Sequence, residues 1–289
     1  QGDSYVEQLV EENNNLSYMK VHDFVFKNKI GFINSGTTSY SPSLMQVQFD
    51  ILEKDFDIKP NIVISYIDQT DIGDELCRYK NNKIYNSNGK LIAIKNTNYS
   101  RAVFEYTKIN NLSEILLLNK NKIVVNYKLT NFFIKYSYKR FINKIQNIFK
   151  YGWEKKDVSK CHFSEITKYL KYIEADDLKY FENVVINYFE FLLKKKHVEK
   201  VFIITFPHYN HLFENDTKKK YNINVSNIIE KLVQNYDNIN HLNFSKLNSD
   251  NEVKIDNKAY KTDRAHIKEK YYIEIFLNKI EEKILNTLF

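Results

Sequence analysis

Glycine and proline are scarce, with six and three in 289 residues. That excludes collagen-like and Gly/Pro-rich low-complexity classes. There are two cysteines, Cys77 and Cys161. They make no disulfide framework and no Cys-x-x-Cys metal pattern, and the single bridge they allow is not indicated. No run approaches the roughly 18 apolar residues of a membrane-spanning helix, so no integral membrane segment is expected. No signal-peptide pattern is visible, and the abrupt start at Gln1 is compatible with processing upstream. Dense basic runs interleaved with aromatics are also lacking. The net charge is +7, but the lysines are spread along the chain. Lys194-Lys195-Lys196 closes an apparent helix, where cations suit the dipole. Lys218-Lys219-Lys220 lies in a polar loop. The charge alone supports a nucleic-acid partner, so none is expected.

What is abundant is apolar and aromatic surface, at 43% and 15% of residues. A sizeable core follows. The heavy use of Tyr, Phe, Ile, Asn and Lys reads as AT-rich codon bias. Ile30-Gly31-Phe32-Ile33 predicts a short strand, followed by turn chemistry from Asn34 to Pro42. Pro42 opens a helix carrying Leu44, Val47, Ile51 and Leu52 at helical spacing. Asn61 to Ile67 and Val201 to Phe206 are near-continuous apolar runs, as parallel strands covered on both faces require. A hairpin is predicted from Lys83 to Ile94, turning near Asn88-Gly89. Val6 to Val25 and Tyr127 to Tyr151 read as helices. Phe163 to Leu193 reads as two helices broken near Glu174 to Asp177. Val225 to Tyr236 reads as helix and His241 to Phe244 as a last short strand. A closing helix from Ile267 places Tyr271, Ile275 and Leu277 or Asn278, then Ile280 and Ile284, near one face. Alternating strands and helices predict a doubly wound parallel sheet in one domain, 1–289, with a hairpin and helical insertion at about 83–195.

Candidate chemistry lies at the two ends of the chain. Gly2-Asp3-Ser4 is an ordinary turn tripeptide on its own. Near the other end stands Asp263-Arg264-Ala265-His266. A serine nucleophile needs a base, and the base needs a carboxylate to fix its tautomer. Ser4, His266 and Asp263 supply those three types. The plainer alternatives are a turn serine, a helix-capping aspartate and a surface histidine. Asp68, Asp71, Asp74 and Glu75 form an acidic cluster after a strand. Helix-dipole complementarity accounts for it more simply than a metal does. His208 and His211 stand at a strand end and either line a substrate mouth or do nothing. Trp153 either stacks on sugar or packs.

Four segments together resemble the SGNH (GDSL) hydrolase family. Gly2-Asp3-Ser4-Tyr5 is similar to its nucleophile block, Asn34 to Ser39 to its second block, and Asp68 to Asp71 to its third. Asp263-x-x-His266 is similar to its last. The resemblance covers the sheet and its loops, and it implies a three-layer α/β/α, flavodoxin-like fold. It implies that Ser4 attacks an ester carbonyl, with His266 as general base oriented by Asp263. The oxyanion would be held by the amides of Ser4 and Ser39, and Asp3, Asp71 and His208 would border the substrate. The family carries glycine where Ser39 stands, and asparagine where Thr70 stands. The third oxyanion donor is therefore either the Thr70 hydroxyl or the Gln69 amide. The variant blocks loosely resemble members associated with bacterial surface polysaccharides. The implied activity is a serine esterase or O-acyl transferase on an acylated carbohydrate or small ester, with neither metal nor organic cofactor. The alternative is a catalytically impaired carbohydrate-binding relative. The compartment stays open between bacterial cytoplasm and cell envelope. In this fold a strand precedes the nucleophile, yet only Gln1 precedes Gly2, so an apolar strand upstream is expected.

Overall fold

In the computed structural model, residues 1–2, 23, 26–37, 39–95, 138, 173–213, 224–261, 267–268 and 271–288 are described. The chain divides into two units, Gln1–Ala93 with His162–Phe289, and Ile94–Cys161. The first carries the parallel sheet and its helices.

Helix α1 (Pro42–Phe56) starts at the expected proline and stops at Asp57, whose left-handed backbone (φ 53°) turns its N–H back to the Leu52 carbonyl. Strand β1 (Ile62–Tyr66) leads into the short helix α2 (Asp71–Asp74), which continues as a π-helical turn, Glu75–Tyr79. Strands β2 (Lys83–Tyr85) and β3 (Leu91–Ile94) make the predicted hairpin. Gly89 takes the positive φ (73°) that its turn requires. Then follow α3 (Ala175–Leu193), β4 (Lys200–Thr205), α4 (Tyr209–Phe213), α5 (Val225–Val233), β5 (Ile239–Asn243) and α6 (Phe244–Ser249). A second π-helical stretch, Tyr272–Leu277, runs into α7 (Asn278–Leu288).

Three strands pair in parallel in the order β1-β4-β5, with Ser65 opposite Ile203 and Ile203 opposite His241. Strand side chains alternate between faces, and both faces are apolar. Val63, Ile67, Val201, Ile203 and Ile239 join a cluster with Met45 and Phe49 of α1, Phe181 and Val185 of α3 and Ile229 of α5. Tyr66, Phe202, Ile204 and Leu242 join a second with Phe276, Ile280 and Ile284. Burial on both faces is why these strands read as continuous apolar runs. The protein is thus α/β, with a parallel sheet and helices. No helix among the described residues is long and apolar enough to cross a membrane.

The first two residues extend the pairing. The Gln1 nitrogen donates to the Ile64 carbonyl (2.6 Å), and the Tyr66 N–H donates to the Gln1 carbonyl (3.0 Å). That is a parallel rung opposite Ser65. On its other side Gly2 bridges Gly36 in parallel, and the Thr37 N–H donates to the Gly2 carbonyl (3.0 Å). The Gln1 side chain is pinned as well: its amide nitrogen donates to the Met45 carbonyl (3.0 Å), and its oxygen accepts from Tyr188 (2.8 Å).

Several expectations need correction. Ile30 to Ile33 form no strand, and Phe32 and Ile33 are 47% and 52% exposed. The rung forms three residues later, at Gly36. The last strand starts at Ile239, two residues early. The closing helix does not start at Ile267, which pairs with Tyr260 in an antiparallel bridge. Its buried positions are Tyr272, Phe276, Leu277, Ile280 and Ile284, whereas Tyr271 and Ile275 are only half-buried. A π turn is wider than 3.6 residues, so a helical-period count lands one residue off at the first two positions, while Leu277, Ile280 and Ile284 are buried as expected. The stretch 83–195 contains α3, whose Phe181, Val185, Tyr188, Phe189 and Leu192 are fully buried in the sheet's own core. Helix α3 is therefore part of the main fold. Cys77 is disulfide-bonded, which the sequence did not indicate. Most of Val6 to Val25, and all of Leu112–Leu118, Tyr127–Tyr151 apart from Tyr138, and Trp153, lie outside the described residues.

Candidate active site

Asp3, Ser4, Asp263 and His266 lie outside the described residues, but the residues beside them are placed. Gly2, one residue before Asp3, is held between β1 and Gly36. Ile267, next to His266, is 2% exposed and belongs to the cluster containing Tyr66 and Phe206. Tyr66 ends β1 and Phe206 follows β4, at the carboxyl ends of the parallel strands. Tyr272 donates to the Tyr66 hydroxyl there (3.2 Å). Both flanks of the expected triad are thus tied to the end of the sheet where open α/β folds bind ligands.

Ser39 lies between the Gly36 rung and α1. The Tyr40 N–H donates to the Thr37 carbonyl (3.0 Å), which makes a tight turn with Ser39 at its third position. Ser39 has φ 65°, in the left-handed region. Glycine takes that conformation freely, whereas a residue with a Cβ pays about 1–2 kcal/mol. The side chain is gripped by Arg78, whose Nη1 donates to Ser39 Oγ (2.5 Å), and the Tyr79 hydroxyl donates to the Ser39 carbonyl (2.5 Å). The Ser39 amide makes no hydrogen bond among the described residues.

The loop after β1 is built around Asp68. Its Oδ1 accepts from the Thr70 N–H (2.6 Å), the Thr70 hydroxyl (2.7 Å) and the Asp71 N–H (3.3 Å). Asp71 Oδ2 accepts from the Asp68 N–H (2.9 Å). A hydroxyl has one proton, and that of Thr70 goes to Asp68. Gln69 is 4% exposed. Its Oε1 accepts from the Val225 N–H at the start of α5 (3.0 Å), while Nε2 is buried without a hydrogen-bond partner. His208 is half-buried just beyond β4.

The other two acids of the cluster each have a cationic partner of their own, and among the described residues no group of three or more His, Cys, Asp or Glu could hold a metal ion. Asp74 pairs with Arg78 (2.6 Å) at 2% side-chain exposure. Burial pushes its pKa up to about 8, against the pull of Arg78. Glu75 is fully buried. It accepts from the Ser41 hydroxyl (2.5 Å), the Ser43 N–H (2.9 Å) and the Ser43 hydroxyl (2.8 Å), with Lys83 Nζ at 3.1 Å. It caps α1 from outside that helix. For Arg78 the only local signal is its i,i+4 spacing from Asp74; Glu75 was visible as a member of the acidic run, and Tyr79 carries no local signal.

One hydroxyl–imidazole–carboxylate line is fully described. Thr205 Oγ1 lies 2.9 Å from His241 Nε2, and His241 Nδ1 lies 2.7 Å from Glu230. Thr205 is fully buried and the His241 side chain is 4% exposed, so no ester reaches the hydroxyl. Burial lowers the His241 pKa, with Glu230 opposing. The line ties α5 to β4 and β5.

No family model matches the chain, and neither a curated protein nor a solved structure matches it.

Proposed function

We propose that the chain is a serine esterase or O-acyl (acetyl) transferase of the SGNH type, acting on an acylated carbohydrate. The observation that carries this is Ser39. The position where the family has glycine is held here in a glycine-type backbone conformation (φ 65°), next to the Gly2 rung, with an amide that makes no hydrogen bond among the described residues. Strand order supports the same fold. In chain order the rungs are Gln1–Gly2, Gly36, β1, β4 and β5, and in space they run 2-1-3-4-5, the flavodoxin-like order. Apolar clusters on both faces of the sheet support a three-layer α/β/α arrangement.

In this mechanism Ser4 Oγ attacks the ester carbonyl carbon and its proton passes to His266, whose imidazolium Asp263 stabilises. The amides of Ser4 and Ser39 bind the oxyanion. The alcohol leaves with the His266 proton. Water, or a sugar hydroxyl in transfer, then takes the acyl group from Ser4. For the third oxyanion donor we take Gln69, whose Oε1 is anchored by Val225 and whose Nε2 is unpartnered, over Thr70, whose hydroxyl is committed to Asp68. Nε2 is buried, so this role requires the Gln69 amide to turn toward the substrate.

The spent Thr70 hydroxyl also favours one competing reading, a binding relative that does no chemistry. Turnover of a chromogenic acetyl ester by the wild type and by Ser4→Ala separates the two. Loss of turnover in Ser4→Ala is expected; equal rates remove Ser4 as nucleophile. Absent turnover together with glycan binding supports the binding relative.

A further inference from the structure

We propose that Arg78 and Tyr79 are positioning residues that hold the Ser39 amide in its oxyanion-binding direction, with the Ser39 hydroxyl as the handle by which they do so. The inference rests on the assignment of that amide as an oxyanion donor.

The geometry is a two-sided clamp. Arg78 Nη1 grips Ser39 Oγ at 2.5 Å and the Tyr79 hydroxyl grips the Ser39 carbonyl at 2.5 Å. The direction of the Ser39 N–H relative to its own carbonyl and Cβ is set by rotation about the N–Cα bond. The clamp holds the Cα side of that bond through the carbonyl and the hydroxymethyl group, and the rung from the Thr37 N–H to the Gly2 carbonyl (3.0 Å) holds the chain on its other side, so the two together fix the amide. A left-handed residue with a Cβ relaxes towards φ below zero unless it is held, so the clamp opposes a real restoring tendency. Glycine has no Oγ for Arg78 to reach.

The clamp is itself rigid. Arg78 is tied to Asp74 (2.6 Å), one of the most buried carboxyls among the described residues, and its carbonyl accepts from Asn82 (2.6 Å). Tyr79 is 6% exposed. The two residues are consecutive, so a single π turn (Glu75–Tyr79) delivers both. π turns recur at functional sites because they re-aim side chains out of the ordinary helical sequence of faces.

The test pairs steady-state kinetics on a chromogenic acetyl ester with amide hydrogen exchange of the 36–41 peptide. The wild type is compared with Arg78→Met and with the milder Tyr79→Phe, which removes one hydroxyl. Both variants should exchange the peptide at least several-fold faster, with kcat about tenfold lower and KM unchanged. Unchanged exchange in both variants overturns the clamp. Faster exchange with unchanged kcat overturns the positioning role while leaving the Ser4 mechanism intact. Absence of Ser4-dependent turnover in the wild type overturns the oxyanion assignment and this inference with it, and the exchange data then still say whether the clamp exists. A further variant, Ser39→Gly/Arg78→Met, separates positioning from general support of the fold. Arg78→Met should cost little kcat beyond Ser39→Gly, because glycine needs no grip. An equal loss in both backgrounds contradicts the handle.

Discussion

Glu75→Gln should destabilise the protein far more than a single-atom change suggests. Glu75 is wholly buried and serves two partners at once, the amino end of α1 and the ammonium of Lys83, itself 6% exposed. Glutamine keeps one acceptor oxygen but loses the charge. The Ser43 N–H then loses a charge-assisted cap, a contact typically worth about 1 kcal/mol. Lys83 is left in the interior without its counter-charge, and breaking a buried pair from one side costs about 3–5 kcal/mol. The second effect dominates, so a total near 4 kcal/mol is expected. With a urea m-value of about 3 kcal/mol/M for a chain of this size, the unfolding midpoint by far-UV circular dichroism should fall by roughly 1.3 M. Lys83→Met in the Glu75→Gln background should recover more than half of the loss, because removing both charges relieves the uncompensated one. A midpoint shift under about 0.3 M (some 1 kcal/mol) for Glu75→Gln, or strict additivity in the double variant, would refute the reasoning.

Asp74 and the third oxyanion donor give two further predictions. The folded pKa of Asp74, about 8, lies above its ordinary 3.8. Its contribution to stability is therefore complete below about pH 4 and is lost as pH rises towards 8, as burial of the charge begins to cost. Asp74→Asn cannot ionise, so it should gain stability relative to wild type across that window, with a ceiling on the order of 4 kcal/mol at pH 7. Parallel pH profiles in urea titrations would count against it. Gln69→Ala should lower kcat on the acetyl ester by about 10²-fold, the usual effect of one missing oxyanion donor, whereas Thr70→Ala should change it less than tenfold. The reverse ranking would return the third donor to Thr70.

Much of the scaffold was legible because one physical signal dominated each element. Val201 to Phe206 is apolar at every position except Thr205, which only a strand covered on both faces allows, and it forms β4. Pro42 fixed the start of α1, and Asn88-Gly89 fixed the hairpin. The break read near Glu174 to Asp177 is where α3 begins, with Asp176 and Asp177 in its first turn, where acids suit the dipole. What escaped was tertiary. Both π turns are invisible to a 3.6-residue period, so Tyr271 and Ile275 were expected where Tyr272 and Phe276 are buried, whereas Ile280 and Ile284 fall as read. Glu75 read as part of an acidic run suited to a helix N-terminus, and only the fold brings Ser41, Ser43 and Lys83 round it. The clamp on Ser39 joins residues 39 or 40 positions apart, and no local pattern announces it. Thr205, His241 and Glu230 combine in the same way.

The most direct test of the account is covalent. A fluorophosphonate probe reacts with a serine only where a base and an oxyanion hole activate it. Incubation of the chain with such a probe, digestion and peptide mass spectrometry should locate a single phosphonylated residue at Ser4, and Ser4→Ala should take up none. Modification of another serine, or an unlabelled Ser4 in the folded wild type, would contradict the nucleophile assignment on which the proposed function rests.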